Sequence, residues 1–158
     1  MIFKNLLPNT KVWVYVSRTS LSNIDFEDIS LNFNQFFSNW KSHGEIINGQ
    51  FKIIDDYILS IAADVKANEL CGRAADAQVR FIEEVSKHYK LDLLNRNNMA
   101  YLENGVINSF DFRKLKELLE AGKINNNTLC CNTFVRKNSD QIYLPFSQSP
   151  FASLSFSR

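Results

Sequence analysis

Between Phe26 and Trp40 the apolar residues recur in steps of three and four: Phe26, Ile29, Phe33, Phe36, Phe37 and Trp40. That spacing follows the 3.6-residue turn and predicts one unbroken apolar stripe along one helix, the strongest helix signal in the chain. Ser22 is the expected N-cap, and Asp25 and Glu27 in the first turn suit the positive end of the helix. Gly44 is the expected left-handed stop.

The flanking segments have the other periodicity. Lys11-Val12-Trp13-Val14-Tyr15-Val16-Ser17 is β-branched and aromatic throughout and reads as a central strand buried on both faces. The segment Ile46 to Ile54 is weakly strand-like. Asp55-Asp56 turns it into the apolar run Tyr57 to Ala63, which predicts an antiparallel hairpin. That run ends in an acid, Asp64. A polar loop and Gly72 follow, and then a second helix with Ala75, Val79, Ile82, Val85 and Tyr89 on one face. Leu91, Leu93 and Leu94 predict a returning strand. The order strand, helix, strand, strand, helix, strand is that of a ferredoxin-like (split βαβ) α+β domain, an antiparallel sheet with two helices on one face. Its expected extent is residues 1–97.

Asn95-Arg96-Asn97-Asn98 is a polar seam, and a second unit is expected over residues 98–146. Met99 to Leu102 reads as a short strand, Asn104-Gly105 as a hairpin turn and Val106-Ile107 as its return. Ser109 or Asp111 can cap a helix carrying Phe112, Leu115, Leu118 and Leu119. Gly122 would end that helix, with Ile124 making the accompanying apolar contact. Thr128 to Val135 predicts a strand. In it Cys130 and Cys131 point to opposite sides, one buried and one exposed. Residues 147–158 form a Ser- and Phe-rich tail.

Charge and cysteine usage exclude several functions. The formal net charge is +1, with no basic run, which argues against nucleic acid as a partner. No apolar run approaches the roughly 18 residues of a membrane helix. The segment from Met1 to Pro8 is too short and too soon interrupted for a signal peptide. Three cysteines without CxxC spacing give neither a disulfide framework nor a zinc site, and a reducing cytoplasm is the expected compartment. His43 and His88 lie too far apart in sequence for a metal motif. No metal and no cofactor is expected.

The pattern Tyr101, Asn104-Gly105, Phe110, Leu115-Lys116-Glu117-Leu118-Leu119, Gly122-Lys123-Ile124 and Thr128-Leu129 resembles the GYF-like domains of bacterial proteins. The resemblance implies an adaptor-like module, of a kind that in some members binds proline-rich segments on an aromatic surface. The chain as a whole resembles a small bacterial family whose members often carry the label "ABC transporter ATPase". The shared features are Val12-Trp13-Val14-Tyr15, Trp40 with His43-Gly44, the acid-ending strand at Asp64, Asp76 with Arg80-Phe81, and the segment Asp92 to Arg96. An ATPase needs a glycine-rich loop whose amides cradle phosphate, with a lysine and a Ser or Thr behind it. The five glycines here are dispersed and build no such loop.

Two functional readings follow. The first is a non-catalytic cytoplasmic protein-interaction (adaptor-like) protein, with Tyr101, Phe110 and Phe134 as candidate contact aromatics. It implies a protein partner and leaves homo-oligomerisation open. The second is a small-ligand or anion-binding protein, or an enzyme, using Asp64, Asp76 and Arg80 around the loop before the second helix. Asp76 and Arg80 stand one turn apart. They either form a surface ion pair or hold a guanidinium fork toward an anion.

Overall fold

Two facing layers meet on one short sheet. The computed structural model describes residues 1–65 and 70–153. Residues 66–69, in the candidate loop, and the tail residues Leu154 and Phe156 lie outside the described residues. In chain order the elements are β1 (Lys11–Val16), α1 (Phe26–Asn39), β2 (Lys41–Ser42), β3 (Glu45–Ile46), β4 (Asn48–Ile54), β5 (Ile58–Asp64) and α2 (Gly72–Tyr89). They continue with β6 (Asn98–Glu103), β7 (Val106–Asp111), α3 (Leu115–Glu120), β8 (Leu129–Cys131) and β9 (Tyr143–Pro145). Every strand pairing among the described residues is antiparallel, so the expected α+β class holds.

The first sheet has the order β1-β5-β4, so β5 is its middle strand and β1 an edge. The sequence predicts β1 at the centre because both of its faces are apolar. The structure explains that apolarity differently. Trp13 and Tyr15 of β1 pack with Leu59, Ile61 and Ala63 of β5 in the core under α1 and α2. On the opposite face, Val12 and Ala62 pack with Ile2, Phe3 and Leu6 of the N-terminal segment. Val16 and Ile58 pack there with Ala100 and Cys131 of the second sheet. An edge strand can therefore be buried on both faces when its rim is closed as well. The Val12 N–H donates to Arg136 O at 3.0 Å, the Asn98 side-chain amide donates to Val16 O at 3.0 Å, and the Ser109 hydroxyl donates to Ser17 O at 2.8 Å. The strand expected at Leu91 to Leu94 is a run of turns, and these groups from the second half meet the β1 edge instead.

The turns explain other departures. The N-cap of α1 is Asp25, whose carboxylate accepts from the Glu27 and Asp28 N–H groups, while Ser20 caps a separate 3-10 turn at Leu21–Asn23. Gly44 does not end α1. With His43 it forms the left-handed turn of the β2–β3 hairpin, at φ of 81° and 52°. The turns expected at Asp55-Asp56 and Asn104-Gly105 are present, and both use left-handed backbone. Gly49 in β4 has its own reason to be glycine: an added Cβ would stand 2.3 Å from Cδ1 of Phe37, so the ring of α1 rests directly on the strand.

The second sheet has the order β7-β6-β8-β9, with its own core of Met99, Tyr101, Phe110, Leu115, Ile124 and Phe146. Cys130 faces that core and Cys131 faces the first sheet, so both thiols are buried rather than one. Asn138 ties the loop between β8 and β9 to the N-terminal segment. Its side-chain amide donates to Phe3 O at 2.8 Å and Leu6 O at 3.0 Å, and its oxygen accepts from Phe3 N–H at 2.7 Å. Truncation to alanine leaves these buried backbone groups unpaired, at about 1–3 kcal/mol for each group that finds no water. Asn138→Ala should therefore lose about 3 kcal/mol in urea unfolding, with the slope unchanged. A loss below about 1 kcal/mol would mean that the N-terminal segment is held by something else.

Candidate functional groove between the two long helices

Helices α1 and α2 run antiparallel over the first sheet, and their side chains fix the seam at both ends. At one end the Trp40 indole N–H donates to Ala74 O at 2.9 Å. At the other the Tyr89 hydroxyl donates to Asp28 Oδ2 at 2.5 Å and accepts from the Asn32 side-chain amide at 2.9 Å. His88 Nε2 lies 3.9 Å from the same Asp28 oxygen. Burial first, and the Asp28 carboxylate second, push the Tyr89 phenol pKa up, so Tyr89 stays a neutral donor.

Between these ties the helices leave a groove of about 760 Å3. Its apolar lining is Phe36, Trp40, Ala77, Phe81 and Val85. Phe36 and Phe81 stack across the seam with ring centroids 4.4 Å apart and planes 2° apart, and Trp40 packs on Phe36 at 5.0 Å. The rim is polar and unequal at its two ends. Lys41 and Arg73 stand by the Trp40–Ala74 tie, and neither has an ion pair among the described residues. Glu84, His88 and Asn32 stand toward the other tie. A volume in this range, apolar walls and a few convergent polar groups are what small-molecule sites have in common. Among the described residues no group of His, Cys, Asp and Glu is placed to hold a metal ion.

The sequence-derived candidates lie elsewhere. Asp64 ends β5 opposite Asn48 and is half-buried. Asp76 and Arg80 are exposed on the outer face of α2 and form no ion pair among the described residues. None of the three lines the groove. Tyr101 and Phe110 meet edge-on at 5.7 Å and are buried in the second core, so they present no contact surface. Phe134 is 55% exposed and lies 6.1 Å from Phe151. The groove residues carry a sequence signal of their own. Phe36, Trp40, Phe81 and Tyr89 are more aromatic surface than the sheet alone would cover.

Next to the cationic end, Cys71 occupies the N-cap of α2 and its N–H donates to the Ser42 hydroxyl at 3.0 Å. The Ser42 hydroxyl, and after it the backbone N–H groups of Ala74 and His43, lower the thiol pKa. Burial acts oppositely on the other two thiols and pushes Cys130 up to about 12. In the folded protein iodoacetamide should modify Cys71 alone, with a rate that rises through a midpoint below that of a free thiol. All three should react in denaturant. Equal rates for Cys71 and Cys130 in the native state would contradict this assignment.

No family model matches the chain, and no curated protein or solved structure matches it.

Proposed function

We propose that the protein is a non-catalytic binding protein whose site is the groove between α1 and α2. The observation that carries this is the groove itself: about 760 Å3, walled by stacked aromatic rings and rimmed by amides and charges. An apolar ligand entering it would remove ring surface from water at roughly 25 cal/mol per Å2. The second reading of the sequence, ligand binding near α2, is thereby kept and moved around the helix, away from Asp64, Asp76 and Arg80.

The fold kinship is part of the same proposal. Strand order β1-β5-β4 beneath two antiparallel helices supports a ferredoxin-like reading of residues 1–97. The left-handed Asn104-Gly105 turn and the Gly122 stop after α3 support a GYF-like reading of residues 98–146. The resemblance to the small bacterial family stands with them. Both folds carry many activities, so the site decides the function.

The neutral fluorophore N-phenyl-1-naphthylamine tests the groove. Its emission should rise on addition of the folded protein, with a Kd on the order of 10 µM. Ala77→Trp, which fills the groove, should abolish the rise while the urea midpoint stays near that of the parent. No rise with the parent protein, or an equal rise with Ala77→Trp, would overturn the reading.

A protein-interaction function is favoured by one separate observation, the exposed Phe134 beside Phe151, which itself packs on Phe112 at 5.2 Å. Exposed aromatic clusters are frequent anchors of protein interfaces. A partner drawn from lysate by the intact protein and lost with Phe134→Ser would support it. Identical retention by both would remove Phe134 from any interface.

A further inference from the structure

The two ends of the groove differ in charge, and that difference selects a class of ligand. Arg73 and His88 both line the groove and stand fifteen positions apart on α2, about 22 Å along the helix axis. At the Arg73 end the charged lining is Lys41 and Arg73, both exposed and without ion pairs among the described residues. At the His88 end the lining includes Glu84, and Asp28 stands just behind, bound by Tyr89 and close to His88. Between them runs the apolar strip of Phe36, Ala77, Phe81 and Val85.

We propose that the groove takes a long-chain monocarboxylate, with its headgroup between Lys41 and Arg73 and its chain along Phe36, Ala77 and Phe81. This rests on the groove being the binding site and specifies what occupies it. The planar guanidinium of Arg73 can pair with a carboxylate through two parallel bonds, and Lys41 adds a point charge. The reversed orientation would bring the carboxylate to Glu84 and Asp28, where like charge opposes it. A neutral chain gains the same apolar burial but lacks the charge-assisted bonds. A cationic chain meets Lys41 and Arg73 in one orientation and leaves their charges unanswered in the other.

Competition against bound N-phenyl-1-naphthylamine separates these cases. Below its micellar concentration, dodecanoate should displace the fluorophore at least about tenfold more effectively than dodecanol, and dodecyltrimethylammonium should be the weakest. In the double variant Lys41→Gln/Arg73→Gln the advantage of dodecanoate over dodecanol should vanish. Dodecanol displacement is compared within the same variant, and a urea midpoint near that of the parent reports that the variant is folded. Equal displacement by dodecanoate and dodecanol, or a carboxylate preference that survives in the double variant, would overturn the ligand class while leaving the groove as a site. Failure of the fluorophore to bind the parent protein would overturn the groove, and the ligand class with it.

Discussion

Strand β5 has no polar face, and the architecture depends on that. Ile58, Leu59, Ser60, Ile61, Ala62 and Ala63 are all buried, and alternate residues feed separate cores. Ser60, the polar member, donates its hydroxyl to Trp13 O at 3.1 Å, so burial leaves it satisfied. A strand of this kind must be covered on both sides. Helices α1 and α2 cover one, and the N-terminal segment with the second sheet covers the other. The second half of the chain is therefore part of the first half's core through Ala100, Cys131, Val135 and Ile142. It also closes the edge of β1 through Asn98, Ser109 and Arg136.

The groove is a consequence of how the helices are held on this sheet. Phe33 and Phe37 of α1 point down, Phe33 stacking on Phe51 at 4.2 Å and Phe37 lying over Gly49. That downward packing uses one side of the stripe. The other side, Phe36 and Trp40, turns toward α2 and meets Phe81. Because the seam is pinned at Trp40–Ala74 and at Tyr89–Asp28, the space between the pins persists as a groove instead of closing by sliding. The pins also place opposite charges at its two ends, since the C-terminal end of α1 leads into Lys41 and its N-terminal turn holds Asp28.

Much of the fold was legible because periodicity and turn chemistry agree with tertiary packing. The Ile29 to Trp40 part of the stripe, the Asp55-Asp56 and Asn104-Gly105 turns, and the Gly122 stop with buried Ile124 are of this kind, whereas Phe26 at the start of the stripe is 61% exposed. The misreadings share a cause: a tertiary partner that no local pattern encodes. The periodicity places Val79 on one apolar face of α2 with Ile82 and Val85, yet Val79 is 40% exposed and fully buried Gln78 takes the inner position. Gln78 can do so because its side-chain amide donates to the Tyr15 hydroxyl at 2.8 Å, sixty-three residues away. Asn138 is hidden in the same way. No local pattern marks it, and it is fully buried as the clamp on Phe3, Leu6 and Leu7. One of Cys130 and Cys131 reads as exposed only if the second sheet has one covered face, and it has two.

Helix phase decides why Asp76 and Arg80, beside the strand-to-helix junction, do not line the groove. At 100° per residue, α2 divides into three sectors. Ala74, Gln78, Ile82 and Val85 form the one that packs on the sheet, and Ala74 and Val85 at its margin also line the groove. Arg73, Ala77, Phe81, Glu84 and His88 form the next, which walls the groove. Asp76, Arg80, Glu83 and Lys87 form the last, which faces water and carries the Glu83–Lys87 pair at 3.3 Å. An i,i+4 pair such as Asp76 and Arg80 stays within one sector by construction, so spacing alone could never say which sector it shares with a ligand. Aromatic content could: Phe81 follows Arg80 directly, and one step around the helix is the difference between the solvated face and the groove.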